Sequence, residues 1–203
     1  AWVTDETRQA THEDYTVKLL IDSELTALIE THFGSIGVTG SRLAHLVCGY
    51  AAPQESDAFV VIRDGKHVDL AAILHQIVSG EVDADRMDYL RRDAYYCGVS
   101  YGNYDHLWLI NNLTVVEHEG RLALALSHKG VWAFENFLLA RYHMFLSIYY
   151  HHTAICFDHL LGRFYDSGEY SLPGDSESYI ETDDIELMGG LRRSSHPGAR
   201  AVV

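Results

Sequence analysis

Apolar residues recur at three- and four-residue spacing along most of this chain, and that period predicts helices. Thr11-His12-Glu13-Asp14 reads as a helix start, with Tyr15, Leu19, Leu20 and Ile21 as apolar anchors. Ser23 reads as a second N-cap, ahead of Leu25, Leu28 and Ile29 on one face. Residues 34–40 read as a loop, 41–50 as a helix, and 68–78 as a helix carried by Leu70, Ile73, Leu74 and Ile77. Within residues 53–65, Phe59-Val60-Val61-Ile62 fits either a short strand or an apolar patch in a loop. A polar run at 83–93 fits a helix, and residues 104–111 fit another. Residues 113–117 and 122–126 flank Glu119-Gly120 and predict a β-hairpin. Residues 131–165 predict a long aromatic-rich helix, with His151-His152 as the place where it would break. Residues 171–178, with Pro173 and Gly174, read as a polar loop, and Thr182-Asp183-Asp184 starts a last helix through Met188. The expected fold is mainly α with one small β-hairpin, in one domain or part of one. Its parts are core helices at 11–112, the hairpin at 113–126, and the aromatic helix with the C-terminal segment at 129–203.

Composition narrows the partners. A formal charge of −14 over 203 residues argues against unspecific binding to nucleic acid or to an anionic membrane, since both need a basic surface. Cys48, Cys97 and Cys156 are odd in number and far apart, with no CxxC pair, so neither a zinc ribbon nor a disulfide framework is expected. A reducing cytoplasm fits that usage. No signal peptide and no bilayer-length apolar run is seen in the sequence.

The run Asp83-Ala84-Asp85-Arg86-Met87-Asp88-Tyr89-Leu90-Arg91-Arg92-Asp93 changes the picture most. At helical spacing Asp85, Tyr89 and Asp93 fall at i, i+4 and i+8, along one face. A row of acid, phenol and acid is costly to bury unless a cation or polar ligand meets it. Spacing alone favours an ordinary solvated face, because charged helix faces are usually just solvated. In that reading Asp83 is an N-cap, Asp85 meets the helix dipole, and Asp88 pairs with Arg91 or Arg92.

The wording of the run resembles a signature segment of HD-domain phosphohydrolases, in the branch of deoxynucleoside triphosphate triphosphohydrolases. The likeness continues through Asp93-Ala94-Tyr95-Tyr96-Cys97-Gly98-Val99-Ser100-Tyr101-Gly102 and upstream through Leu74-His75-Gln76-Ile77-Val78-Ser79-Gly80. Arg141-Tyr142-His143-Met144-Phe145 and Tyr149-Tyr150-His151-His152 resemble the family's later helix. The resemblance runs from about Thr11 to the C-terminal end.

It implies a helical HD-type fold and a divalent metal, Mn, Mg, Fe or Zn, held by His, a His-Asp pair and a distant Asp. Asp85 takes the place of that distant aspartate. The chain holds no His-Asp dipeptide, and in the family the first His and the His-Asp pair precede the segment where this chain begins. The chain therefore reads as an internal piece of a longer protein. His12 and Glu13 match a His-Glu pair near the scissile phosphate, as proton donor and its orienting partner. Arg86 and Arg141 match phosphate contacts, and Tyr89 and Asp93 match residues against the deoxyribose, Asp93 accepting from the 3′-hydroxyl. Tyr149 matches an aromatic near sugar and base, although Tyr142, Phe145, Tyr149, Tyr150 and Phe157 also read as a core stripe. His151, beside it, is a candidate for facing the nucleotide. Where some relatives carry a basic residue of a nucleotide-triggered assembly site, this chain has Leu107-Trp108-Leu109; Lys129 matches another position of that kind.

The implied activity is hydrolysis of a dNTP to deoxynucleoside and triphosphate, by an enzyme that is often a dimer or tetramer. Other readings are an HD enzyme for a different phosphoester, a nucleotide-binding module without turnover, or a helical scaffold. A scaffold has no use for the row of Asp85, Tyr89 and Asp93.

Overall fold

The computed structural model describes residues 10–48, 59–118 and 121–203. The expected Glu119-Gly120 turn, Tyr50 at the end of the expected 41–50 helix, and residues 53–58 lie outside these. The described chain is mainly helical and divides into two compact units, residues 1–141 and 142–203.

The first unit opens with α1 (His12–Ile21) and α2 (Glu24–Phe33), and both starts follow from local chemistry. Thr11 Oγ1 accepts from the Asp14 amide at 3.3 Å while Asp14 accepts from the Thr11 amide at 2.8 Å, a closed capping box. Ser23 caps α2 in the same way with Thr26. Residues 34–36, expected as loop, make one 3-10 turn before α3 (Gly40–Cys48). α3 packs on α1 at Gly40, where an added Cβ would lie 1.9 Å from the Leu20 carbonyl oxygen.

The expectation of one hairpin is corrected next. β1 (Val60–Arg63) and β2 (Lys66–Asp69) form an antiparallel pair with Arg63 opposite Lys66, so two residues make the turn. Asp64 and Gly65 stand there at φ 52° and 74°, the left-handed geometry that an Asp-Gly hairpin turn needs. Val68 and Asp69, expected as helix, therefore belong to β2. Asp69 accepts from the Ala71 amide at 2.8 Å, and α4 (Ala71–Val78) starts there. His75 Nδ1 meets the Leu46 carbonyl at 2.6 Å and ties α4 to α3.

α5 (Ala84–Tyr96) is the centre of this unit. Leu90 and Ala94 on its inner face are buried, and Gly98 at φ 68° ends it. The Val99 amide returns to the Ala94 carbonyl and the Gly98 amide to Tyr95, which makes the end a Schellman motif. The chain then passes so close that a Cβ on Gly102 would lie 2.1 Å from the Leu90 oxygen. Tyr104, expected inside a helix, instead precedes α6 (His106–Asn111) and donates its hydroxyl to the Met87 carbonyl at 2.8 Å. β3 (Leu113–His118) and β4 (Arg121–Leu126) form the hairpin that the alternation predicts, with Leu113 opposite Leu126. Gln76 of α4 accepts from the Leu124 amide at 2.7 Å, so α4 caps a donor of β4. α7 (Val131–Met144) closes the core through Phe137, whose ring meets Tyr104 edge-on at 5.1 Å.

The long helix expected over 131–165 is interrupted. A π-helical stretch at Phe145–Tyr149 is followed by extended His151, which caps α8 (His152–Asp166). The break falls beside the expected His151-His152. In the second unit, α8 is followed by α9 (Ser176–Glu181), α10 (Asp184–Arg193) and α11 (Pro197–Val202). α9 takes the end of the expected polar loop, and Asp183 caps α10 at the Glu186 amide, 2.9 Å away. Phe164, Leu191 and Ala199 form the core of this unit, with Tyr170 and Met188 against them. The aromatic stripe is not that core: Tyr142, Tyr150 and Phe157 are 57%, 61% and 45% exposed.

Two predictions follow from the packing on α5. Gly102→Ala forces a methyl into the Leu90 carbonyl and is expected to cost about 2 kcal/mol or more, whereas Gly174→Ala, which meets nothing within 4 Å, stays within about 0.5 kcal/mol. Urea midpoints of the two variants check this. Burial pushes the Tyr104 phenol up to about 12, with Arg91 opposing and Asp88 adding. The fold therefore keeps a proton that the unfolded chain sheds near pH 10, and stability falls as pH rises from about 10 to 12. Tyr104→Phe is expected to lose about 1 kcal/mol at neutral pH and to remove this share of the alkaline slope.

Candidate functional site

The site is built on the start of α5. Asp83 is only 5% exposed, and each of its oxygens has work. Oδ1 accepts from the Arg86 amide at 2.6 Å, and Oδ2 accepts from the Gly80 amide at 3.2 Å. The Arg86 Nε lies 3.6 Å from Oδ2, so the buried carboxylate is also charge-paired. The Arg86 guanidinium continues to the Gly80 carbonyl. Residues 80–86 are thus one knot, and a Cβ at Gly80 would lie 2.3 Å from the Gln76 oxygen.

With Asp83, Met87, Leu90 and Ala94 turned inward, Asp85, Tyr89 and Asp93 fall on another stripe of α5. Asp85 is exposed, and Tyr89 and Asp93 are half-buried. At about 1.5 Å rise per residue the stripe is roughly 12 Å long. Burial pushes the Tyr89 phenol above its usual value; Arg141 and Arg86 pull it back, and Asp83 and Asp85 add to the rise. The phenol therefore lies in the field of both candidate phosphate cations and of Asp85.

Those two cations are joined. Glu81 Oε2 lies 3.3 Å from Arg141 Nη1 and 3.5 Å from Arg86 Nη1. Arg141 reaches this point from α7, 60 residues along the chain. Sequence reasoning selected both arginines but missed Glu81, because nothing local to Glu81 signals a contact so far away. Glu81 also borders a pocket of about 300 Å³ whose walls include Leu109, Leu124 and Phe134, with Gln76 as a polar wall.

The remaining candidates stand elsewhere. His12 and Glu13 pair with each other at 3.0 Å at the start of α1, with side chains 88% and 47% exposed. The Glu13 carboxyl is held below its usual value, first by a hydrogen bond from its own backbone, then by Thr11 and by His12. No hydrogen bond or ion pair described here joins this pair to α5. Tyr149 and His151 belong to the second unit, where the Tyr149 ring meets Phe145 at 5.1 Å and His151 Nδ1 accepts from the Thr153 amide at 3.3 Å. The Trp108 indole donates to the Lys129 carbonyl at 3.1 Å, so the two positions compared with an assembly site are neighbours.

A metal centre needs convergent donors. Among the described residues no group of three or more His, Cys, Asp or Glu side chains could hold a metal ion. Asp85 offers one carboxylate, and the described residues do not build a metal site around it.

Comparison with known proteins sets the chain beside HD-domain proteins and names no activity. Residues 104–202 match the family model described as the HD associated region, which sets the chain in an HD-domain context. An uncharacterized protein of Methanocaldococcus jannaschii is 36% identical over 121 residues, covering 60% of this chain and 27% of that protein. An uncharacterized protein of Bacillus subtilis is 39% identical over 75 residues, covering 37% of this chain and 16% of the relative. The crystal structure of a hypothetical protein from Aquifex aeolicus superposes with a TM-score of 0.73 at 27% identity, covering 97% of this chain and 48% of that one. The chain thus spans about half of the Aquifex protein and about a quarter of the archaeal one. No helix among the described residues is long and apolar enough to cross a membrane.

The two aspartates at the start of α5 are expected to behave oppositely on truncation. Asp83→Ala removes a cap and leaves the Gly80 and Arg86 donors unmet, at a cost of about 2 kcal/mol or more. Asp85→Ala, on the open side, is expected to change stability by no more than about 0.5 kcal/mol. Urea unfolding of the two variants measures the contrast.

Proposed function

We propose that this chain is the substrate-holding part of a metal-dependent phosphohydrolase of nucleotides, acting on dNTPs to give deoxynucleoside and triphosphate. The observation that carries the reading is the stripe of Asp85, Tyr89 and Asp93 beside the joined pair Arg86 and Arg141. A polyphosphate needs cations with directed N–H groups, and two guanidiniums within reach of one carboxylate oxygen supply them. A sugar needs acceptors and donors a few ångströms further on, and the half-buried Tyr89 and Asp93 offer a phenol and a carboxylate. Asp93 accepts from the 3′-hydroxyl in this reading, while Tyr89 packs on the ring.

Water adds to the α-phosphorus, the bond to the 5′-oxygen breaks, and a proton passes to that oxygen. Arg86 and Arg141 offset charge on the phosphate oxygens as it develops. His12 donates or relays the proton, oriented by its 3.0 Å contact with Glu13. Asp85 would hold a divalent metal, which would supply activation of the attacking water. The resemblance adds Tyr149 and His151 as candidates for the base and sugar. A dimer or tetramer is part of the proposal, supported by exposed apolar side chains such as Trp132 and Leu139 on α7. The three free cysteines are consistent with a reducing cytoplasm.

A second reading, nucleotide binding without turnover, draws on the same arginines and stripe, and on Asp85 having no companion ligands among the described residues. One experiment separates the two. In a protein that combines this chain with a His and a His-Asp segment, triphosphate release from dNTPs is expected, and Asp85→Asn abolishes it while nucleotide still binds. Binding with no release by that protein would select the second reading. Asp93→Asn is expected to lower kcat/KM roughly 10- to 100-fold for a deoxynucleotide but little for its 3′-deoxy analogue. An equal loss on both would remove Asp93 from the sugar site.

A further inference from the structure

Glu81 contacts both Arg86 and Arg141 through one carboxylate oxygen. Its side chain is 78% exposed, whereas each arginine side chain is 28% exposed. The cations are set into the protein and the anion between them is not. Arg86 is further anchored on Asp83 and the Gly80 carbonyl, so its position does not depend on Glu81. The contact itself is weak in form. One oxygen, Oε2, is shared by two Nη1 donors at 3.3 and 3.5 Å, longer than a charge-assisted hydrogen bond.

We propose that Glu81 is a built-in stand-in for phosphate: it holds the two guanidiniums together in the empty protein and is displaced by the phosphate chain of the ligand. Glu81 is thus a positioning and specificity residue, which rests on the phosphate reading of Arg86 and Arg141 given above. Two like charges brought near one point repel, and the carboxylate offsets that repulsion until a ligand arrives. A phosphate group offers several oxygens to both forks at once and carries more charge, so it replaces a monodentate carboxylate. A neutral ligand, or a singly charged one, has less to offer than Glu81 and is discriminated against. The displacement costs affinity, and removing the carboxylate returns it.

The test is isothermal titration of the 203-residue chain with inorganic tripolyphosphate, with deoxyadenosine as a neutral probe. Glu81→Gln and Glu81→Ala are expected to bind tripolyphosphate about three- to tenfold more tightly than the wild type, as two exposed ion pairs would require. Their affinity for deoxyadenosine is expected to be unchanged. Arg141→Gln is expected to weaken tripolyphosphate binding. If both Glu81 variants bind tripolyphosphate no better than wild type while Arg141→Gln still weakens it, Glu81 is only a strut and the phosphate reading survives. If the gain extends equally to deoxyadenosine, the variants have loosened the fold and the proposal is wrong. If no form binds tripolyphosphate, both the proposal and the phosphate reading of the arginines fall.

Discussion

The buried carboxylate of Asp83 is the constraint on which the first unit depends. A charge at 5% exposure is tolerated only when its lone pairs and its charge are both met. Here two backbone amides and a guanidinium meet them. That arrangement fixes where α5 begins, and the buried Leu90 and Ala94 fix which face of it turns inward. Leu90 and Ala94 then point inward, Gly102 and Tyr104 close over them, and the Asp85 stripe points away. One helix thus carries the core on one side and the candidate chemistry on the other, with Asp83 anchoring its start.

Local signals made much of this legible. Thr11, Ser23 and Asp183 read as helix starts because a cap needs only a side-chain oxygen and the next turn's amides, all within four residues. The β3–β4 hairpin was legible from alternation. The β1–β2 hairpin was legible only on its β1 side, where residues 59–62 fit a strand; β2 has one apolar residue in four, so it shows no strand pattern although Asp64-Gly65 carries the chemistry of a two-residue turn. Leu70, Ile73 and Ile77 have helical period, and that period drew Val68 and Asp69 into a helix that the turn geometry denies them.

The candidate site divides the same way. Asp85, Tyr89 and Asp93 share a helix, so their common stripe follows from spacing. Arg86 and Arg141 were named from resemblance, but their meeting at Glu81 depends on how α7 lies against the start of α5, which no local rule contains. Exposure was equally hidden. Tyr142, Tyr150 and Phe157 read as core because aromatics at helical spacing are usually buried, yet in this chain they face out. An apolar period says that a face is meant to be covered, not by which segment.

The same separation of local and distant contacts bears on how the candidate site is held in shape. The groups that would hold phosphate and sugar are fixed by contacts within one unit: Asp83 to Gly80 and Arg86, Glu81 to Arg86 and Arg141, Tyr104 to Met87. None of these contacts needs a metal in place. Catalysis does need one in the proposed reaction, and Asp85 stands on the open side of α5, where further ligands would have to approach. The physical consequence is a separation of roles. The buried Asp83 and the half-buried arginines order the proposed substrate side, and the exposed Asp85 stands apart from them. A residue so placed adds little to stability, so selection on Asp85 can follow its chemistry, while Asp83, two residues earlier, is held by the fold.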